Sequence, residues 1–260
     1  MTFRATGACG FFAVLLWLFL FSLGILTSYV IVGQGAKPTV DPDYVGSQVC
    51  ATCHQSTYDS YQAVGMAQSF NRIEGVQPIE DWTQNNSFYH EASEQYFEMS
   101  QRNGRYFQRR YKLDESNNEI HTFEKEIAFI LGSGNKERDY FYMSDTGELI
   151  QFPVVWYTDE KAWGMAPGYN RADHEGFSRR VEYRCLFCHN AYPDLPEEWT
   201  RYETRRPRFS AELPAGIGCE RCHGPGRKHV ELALKGVRTT QLRASIVNPA
   251  RLDRKLQLDV

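Results

Sequence analysis

The sequence contains no extended run of basic residues. Its 260 residues include 29 Lys and Arg against 32 Asp and Glu, which gives a formal net charge of −3. The basic groups that do occur, such as Arg205-Arg206, are short. Proteins that bind nucleic acids present concentrated positive charge to the phosphates. We therefore expect no nucleic-acid partner.

Cysteine is almost absent outside one short pattern. Of the seven cysteines, only Cys9 lies outside three copies of Cys-x-x-Cys-His. Cys9 precedes an apolar run and has no convincing lipidation context, so we interpret it as an incidental thiol. The three copies are Cys50-Ala-Thr-Cys53-His54, Cys185-Leu-Phe-Cys188-His189 and Cys219-Glu-Arg-Cys222-His223.

This repeated pattern is the attachment signature of c-type haem. Its two thiols add across the two vinyl groups of one porphyrin. The histidine that follows the second thiol is then held under the iron as its axial ligand. The three copies predict three covalently bound haems c with their iron, and His54, His189 and His223 as the proximal ligands.

The spacing of the motifs disfavours a zinc site and a redox disulfide. Zinc ribbons pair two Cys-x-x-Cys units across about 15–20 residues. Here the second and third motifs are 34 positions apart, and the first is 135 positions from the second. Zinc coordination also requires no histidine after every second cysteine. A thioredoxin-like site has one Cys-x-x-Cys near a βαβ unit, a setting that these three motifs lack.

An uncharged segment near the N-terminus predicts export. Residues 11–32 contain no charge, and Arg4 is the only charge before them, which favours a cytoplasmic N-terminus. A signal-peptide core has about 7–15 apolar residues, whereas about 20 span a bilayer. We predict a cytoplasmic stub and an inner-membrane anchor at 1–36, a linker at 37–43, and the remainder on the periplasmic side. Secretion after signal cleavage, near Gly33-Gln-Gly35-Ala36, is the alternative.

The patterning between the first and second motifs is strand-like over about residues 86–158. Asn103-Gly104 between two aromatic-rich runs predicts a hairpin, and Asp145-Thr146-Gly147 predicts another. Gly132-Ser133-Gly134 is better interpreted as a turn than as a phosphate loop, because no Lys-Ser/Thr follows it. We predict an antiparallel sheet of about four or more strands, inserted between the first haem and the other two.

The fold class that we predict is α+β. Tyr58 and Tyr61 recur at helical spacing after His54 and predict a short helix toward Phe70. Pro and Gly punctuate residues 192–226, which indicates short helices and irregular segments. We therefore expect residues 44–260 to form a multihaem cytochrome domain with a core packed by porphyrins, with the sheet as an insert.

His229 is the strongest candidate for the opposite axial position on an iron. It follows His223 by six residues, through the turn-forming Gly224-Pro225-Gly226. Proximal and distal ligands lie on opposite faces of one porphyrin, and so short a link does not pass around the ring. We therefore predict that His229 ligates a neighbouring haem; the alternative is a surface histidine at the start of a helix.

Three further residues are distal candidates. His174 precedes Cys185 by eleven residues in a polar loop, and an ordinary exposed histidine is the alternative. Met66 is the methionine close to a motif; thioether ligation raises a haem potential, but a buried methionine would look the same. His121 lies in an alternating segment and is equally consistent with a plain strand residue.

Several segments resemble multihaem cytochromes of the tetrahaem cytochrome c-554 type, and most closely bacterial members fused to tetratricopeptide repeats. The resemblance spans about residues 44–260, and it implies electron transfer and a distal role for His229. In relatives, a stretch like "NPARLDRKLQLDV", with which this sequence ends at Val260, is soon followed by a further Cys-x-x-Cys-His motif. We therefore expect the domain to be incomplete at the C-terminus, without a fourth haem and a repeat domain. The segments are "YVGSQVCATCH", "YDSYQAVGMAQSF", "GYNRADHEGFSRRVEYRCLFCHNAYP", "GIGCERCHGPGRKHV" and "IVNPARL".

These observations predict a carrier that relays single electrons between redox partner proteins, without catalytic residues of its own. One alternative is a multihaem oxidoreductase that acts on small nitrogen or sulfur species at an open axial site. The Cys-x-x-Cys-Lys variant of nitrite-reducing multihaem enzymes is absent, however. A second alternative is a haem-based redox or gas sensor module.

Overall fold

The computed structural model describes residues 43–192, 206–238 and 240–258. The anchor or signal predicted at 1–36 lies outside these residues, as do Cys9 and most of the predicted linker. Within the described ranges, no helix has the length and apolar character needed to cross a bilayer.

Among the described residues, one helix precedes the strands in sequence and five shorter helices follow them. The first is kinked at His54 (φ −120°, ψ 39°) and ends at Gln62, so it is shorter than the helix predicted to extend toward Phe70. Tight turns occupy residues 63–69 instead, closed by bonds such as Gln68 N–H to Gly65 O at 3.2 Å. The helices are α1 (Ser47–Gln62), α2 (Tyr183–His189), α3 (Glu220–His223), α4 (Arg227–Leu234), α5 (Thr240–Ala244) and α6 (Arg254–Leu258), with 3₁₀ turns at Ile73–Gly75, Glu91–Ser93 and Pro249–Arg251.

Ten strands between α1 and α2 form two antiparallel sheets. One sheet has six strands in the order β1-β6-β7-β9-β10 with β8 beside β7, and the other has the order β2-β3-β4-β5. The strands extend beyond both ends of the predicted 86–158 segment. They are β1 (Phe70–Arg72), β2 (Ser87–His90), β3 (Gln95–Arg102), β4 (Arg105–Leu113), β5 (Glu119–Glu126), β6 (Phe129–Leu131), β7 (Glu137–Met143), β8 (Leu149–Gln151), β9 (Val154–Tyr157) and β10 (Ala162–Met165).

The predicted turns are confirmed. Asn103 and Gly104 alone connect β3 to β4, and their φ values of 52° and 74° are those of the primed turns that match strand twist. Gly147, with φ 83°, lies in the loop between β7 and β8. Gly132 and Gly134, with φ 108° and 89°, lie in the turn between β6 and β7.

The apolar core lies within the β region. Its larger cluster is aromatic and includes the fully buried Phe97, Tyr140, Phe152 and Tyr169. A smaller cluster around Phe70, Phe129 and Phe141 also contains Leu186 of α2. The second Cys-x-x-Cys-His motif is therefore packed directly against the sheet.

Asp139 of β7 makes part of the stability dependent on pH. It is 7% exposed, and its carboxylate accepts a hydrogen bond from Gln151 Nε2 at 2.6 Å. Burial raises the pKa of Asp139 to about 6. The folded state thus holds this proton more tightly than the unfolded state, and the free energy of unfolding falls as the pH rises from about 4 to about 6.

We therefore expect Asp139→Asn to stabilise the haem-loaded protein by about 3 kcal/mol at pH 7 and to have little effect at pH 4. Urea unfolding at both pH values measures this. Asp159→Asn, at an exposed carboxylate paired with Lys136, is the control and should change stability little at either pH. A loss of stability at pH 7 in the Asp139 variant would contradict the assignment.

Candidate haem-binding site

Each Cys-x-x-Cys-His motif forms a turn of helix that ends or bends at its histidine. The first lies in α1 before the kink at His54, the second ends α2 at His189, and the third ends α3 at His223. Residues three apart lie on one face of a helix, so the two thiols of a motif point the same way. The six motif cysteines form no disulfide among the described residues, and each is at least partly exposed. Among the described residues, no three His, Cys, Asp or Glu converge as ligands of a metal ion.

The first and third motifs lie side by side. Burial, followed by the neighbouring Cys219 thiol and the Glu220 carboxylate, raises the pKa of Cys50 to about 11. The backbone N–H of Cys219 donates to Ser47 Oγ at 3.0 Å. The Tyr61 hydroxyl donates to Ile217 O at 2.8 Å, which joins the end of α1 to the segment before the third motif.

Glu220 connects the third motif to the start of α1. Its side chain is buried, at 6% exposure, and accepts hydrogen bonds from Val45 N at 3.0 Å and Gly46 N at 2.8 Å. It also accepts one from Gly226 N at 2.8 Å, just before α4. One carboxylate therefore contacts the segments that lead into two different helices.

Arg221 connects the third motif to the second. Its Nε donates to Asn190 O at 3.0 Å and its Nη2 to Ala191 O at 3.3 Å, directly after His189. The guanidinium carbon also lies 4.6 Å from the ring centre of Phe187, inside the second motif. Of the two variable residues of the third motif, Glu220 thus bonds to the chain next to the first motif, and Arg221 bonds to the chain next to the second.

Gly218 permits this close approach. A Cβ at this position would lie 3.0 Å from Ser47 Oγ and 3.1 Å from Ala191 Cβ. The third motif therefore begins in the narrow space between α1 and the residues that follow the second motif. A side chain there would require Ser47 or Ala191 to move by a few tenths of an ångström.

Two of the site histidines have a backbone carbonyl beside Nδ1. His223 Nδ1 lies 2.8 Å from Val247 O, and His229 Nδ1 lies 3.2 Å from Leu242 O. A carbonyl oxygen only accepts, so we assign the ring proton to Nδ1, and Nε2 keeps its lone pair. Metal-bound histidines are oriented by a bond of this type. Both rings are therefore in the form that binds iron.

The rings of His54 and His229 lie near one another. Their centres are 6.4 Å apart and their planes differ by 22°. An imidazole–metal bond is about 2 Å long, and a ring centre lies about 1 Å beyond its nitrogen, so two imidazoles on opposite sides of one metal have centres roughly 6 Å apart. The observed separation of the two ring centres is close to that value.

The other distal candidates lie in different surroundings. The Nδ1 of His174 accepts from Gly176 N at 3.0 Å, and its ring lies 5.5 Å from that of the buried His90. Burial, with His90 as the next cause, lowers the pKa of His174. Its ring contacts are therefore with residues of the β region. Met66 is 53% exposed in the turn after α1, and His121 is exposed on β5 with φ 55°.

Two apolar side chains, one on α2 and one on α4, are largely exposed. Phe187 is 66% exposed and Leu234 is 82% exposed. The helices α4 and α5 bury no side chain, and α3 buries only Glu220. Helices this short are marginal unless an apolar face is covered. Porphyrin rings at the motifs would supply that cover, so the residues present fit haem.

Sequence reasoning predicted the thiols and the histidines as site residues but did not single out Glu220 and Arg221. The available signal was an adjacent acid and base inside one Cys-x-x-Cys unit, a feature that the other two motifs, with Ala-Thr and Leu-Phe, do not share. That signal marks Glu220 and Arg221 as unusual, but it does not indicate which residues they bond to.

One comparison with known proteins, the match to a family model, agrees with this chemistry. Residues 160–224, which contain the second and third motifs, match the family model described as cytochrome c554 and c-prime. The comparison with curated proteins found no match. A solved structure titled "Crystal Structure of Outer Cell Wall Cytochrome OcwA" is similar, with a TM-score of 0.44, 16% identity, and coverage of 74% of this chain and 34% of that one. The chain thus spans about a third of that protein. The family match supports a multihaem c-type cytochrome with covalently bound haem c and iron.

Proposed function

We propose that this chain is an extracytoplasmic electron carrier that exchanges single electrons with redox partner proteins. Haem iron supplies the one-electron chemistry when it is bound, and the protein sets its ligands, burial and spacing. The observation that supports the proposal is the joining of all three attachment motifs through Glu220 and Arg221. Attachment sites this close suit electron exchange between cofactors.

The proposed roles follow from the geometry. The paired thiols of each motif would hold one porphyrin, and His54, His189 and His223 would be ligands of the three irons. His229 would be a second ligand of the iron at the first motif, as the 6.4 Å separation of its ring from that of His54 supports. Placement outside the cytoplasm, with residues 1–36 as an inner-membrane anchor, rests on the uncharged run at 11–32.

An oxidoreductase is the second candidate, and one observation favours it. In the part of the chain that the structure describes, a second histidine ring lies 6.4 Å from that of His54, while no ring contact joins another histidine to His189 or His223. An iron with an open sixth position could bind a small nitrogen or sulfur species.

Carbon monoxide and turnover assays on the haem-loaded protein separate these two functions. We expect a mass of three haems per chain and rapid electron exchange with a small soluble cytochrome. A ferrous spectrum that carbon monoxide changes little would support the carrier, since a carrier needs no open iron. Turnover of nitrite, hydroxylamine or sulfite at an iron that binds the gas would instead establish the enzyme. A colourless exported protein would contradict both.

A further inference from the structure

Glu220 contacts both halves of the site proposed for the first haem. On the proximal side it accepts from Val45 N and Gly46 N, the two residues before α1, which contains Cys50, Cys53 and His54. On the distal side it accepts from Gly226 N, the residue before α4, which contains His229. The carboxylate thus lies between the starts of the two helices that present the facing histidines.

The bonding of this carboxylate is complete without a cation. Three backbone N–H groups donate to it, and the ion pairs of the described residues do not include it. Burying a charge is costly unless hydrogen bonds satisfy it, and bonds from N–H groups to a carboxylate are about twice as strong as neutral ones. Helix N-termini also favour negative charge. Glu220 therefore holds the two helix starts firmly.

The packing at the junction leaves little space for another arrangement. A Cβ on Gly226 would lie 3.0 Å from Glu220 Oε1 and 3.0 Å from Val45 Cγ2. The chain before α4 and the chain before α1 therefore meet at this carboxylate. Movement of one helix start relative to the other would break at least one of its hydrogen bonds.

We infer that Glu220 is a positioning residue, which keeps His54 and His229 at the separation that one iron requires. The inference rests on the proposed function, because it assumes that these two histidines bind the first haem. Glu220 itself touches no reacting atom. Its effect passes through α1 on one side and α4 on the other.

Glu220→Gln and Glu220→Ala in the haem-loaded full chain test the inference. Neither change removes a thiol, so we expect three haems by mass in both variants. We expect the low-spin signal of one haem to be partly lost in the Gln variant and largely lost in the Ala variant, with a shifted reduction potential for that haem alone. Electron paramagnetic resonance and a redox titration measure these effects, and added imidazole should restore the low-spin signal.

Glu231→Gln is the matched control. Glu231 is an exposed residue of α4, so its substitution removes the same charge from the helix that presents His229 while leaving the junction intact. We expect its spectrum and potentials to equal those of the unmodified protein. If the Ala variant does not accumulate, the Gln variant still decides the question.

Three loaded haems with unchanged spin state and potentials in the Glu220 variants would overturn the positioning role and leave the proposed function standing. An unmodified protein without haem would overturn the proposed function itself. A shift of equal size in the Glu231 control would show a general effect of charge and would also overturn the positioning role.

Discussion

Replacing Cys219 and Cys222 together with alanine is expected to lower the mass of the exported protein by one haem and to weaken the low-spin signal of another. The first effect follows because both thioether bonds of the third motif are lost. The second follows because α3 contains Glu220, which bonds to the starts of α1 and α4, and this helix has only four residues and buries no other side chain. So short a helix has little stability of its own, and its bound haem is expected to supply most of it.

Replacing Cys185 and Cys188 with alanine provides the comparison. This change should also remove one haem, but Leu186 of α2 packs in the smaller apolar cluster of the β region. The His54–His229 pair should therefore keep its low-spin signal. Cys9→Ala, outside every motif, should leave the number of bound haems unchanged. Mass spectrometry and the visible spectrum measure both effects, and an unchanged number of haems in either double variant would exclude haem at that motif.

The local features of the fold could be predicted from sequence because their causes are local. Asn103-Gly104 forms its turn because both residues tolerate positive φ, and the aromatic runs on either side pair directly across it. The end of α1 was harder to place. Tyr58 and Tyr61 continue the helical spacing, but the turns at 63–69 connect the chain to Phe70, which pairs with Leu131 in the sheet. That pairing is a long-range constraint that a local pattern does not contain.

The residues of the candidate site also differ in whether a local pattern or a long-range contact defines them. The motif residues are recognisable because thioether attachment imposes their order within five positions. Glu220 bonds to residues 174 and 175 positions away in sequence, so only the folded chain shows what it does. The prediction that His229 ligates a neighbouring haem followed from the short link to His223. The identity of that neighbour depends on the packing of α4 beside α1, which spacing alone does not give.

Replacing His229 with alanine is expected to convert one haem from low spin to high spin while the mass stays at three haems. The mass is retained because His229 contributes no thioether bond. The spin state changes because the ring that faces His54 at 6.4 Å is lost, and the iron between them keeps one strong axial ligand. The freed position should bind carbon monoxide, and added imidazole should restore the original spectrum.

His121→Ala is the control for this change. His121 is exposed on β5, and its substitution should leave the spin state of all haems as it was. The same measurement on His174→Ala distinguishes the candidates, since the ring of His174 lies against His90 and Phe97 in the β region. If His174→Ala produces the high-spin haem and His229→Ala does not, the distal ligand has been assigned to the wrong helix. The role proposed for Glu220 would then lose its basis as well, because it depends on His229 being the residue that α4 presents to the iron.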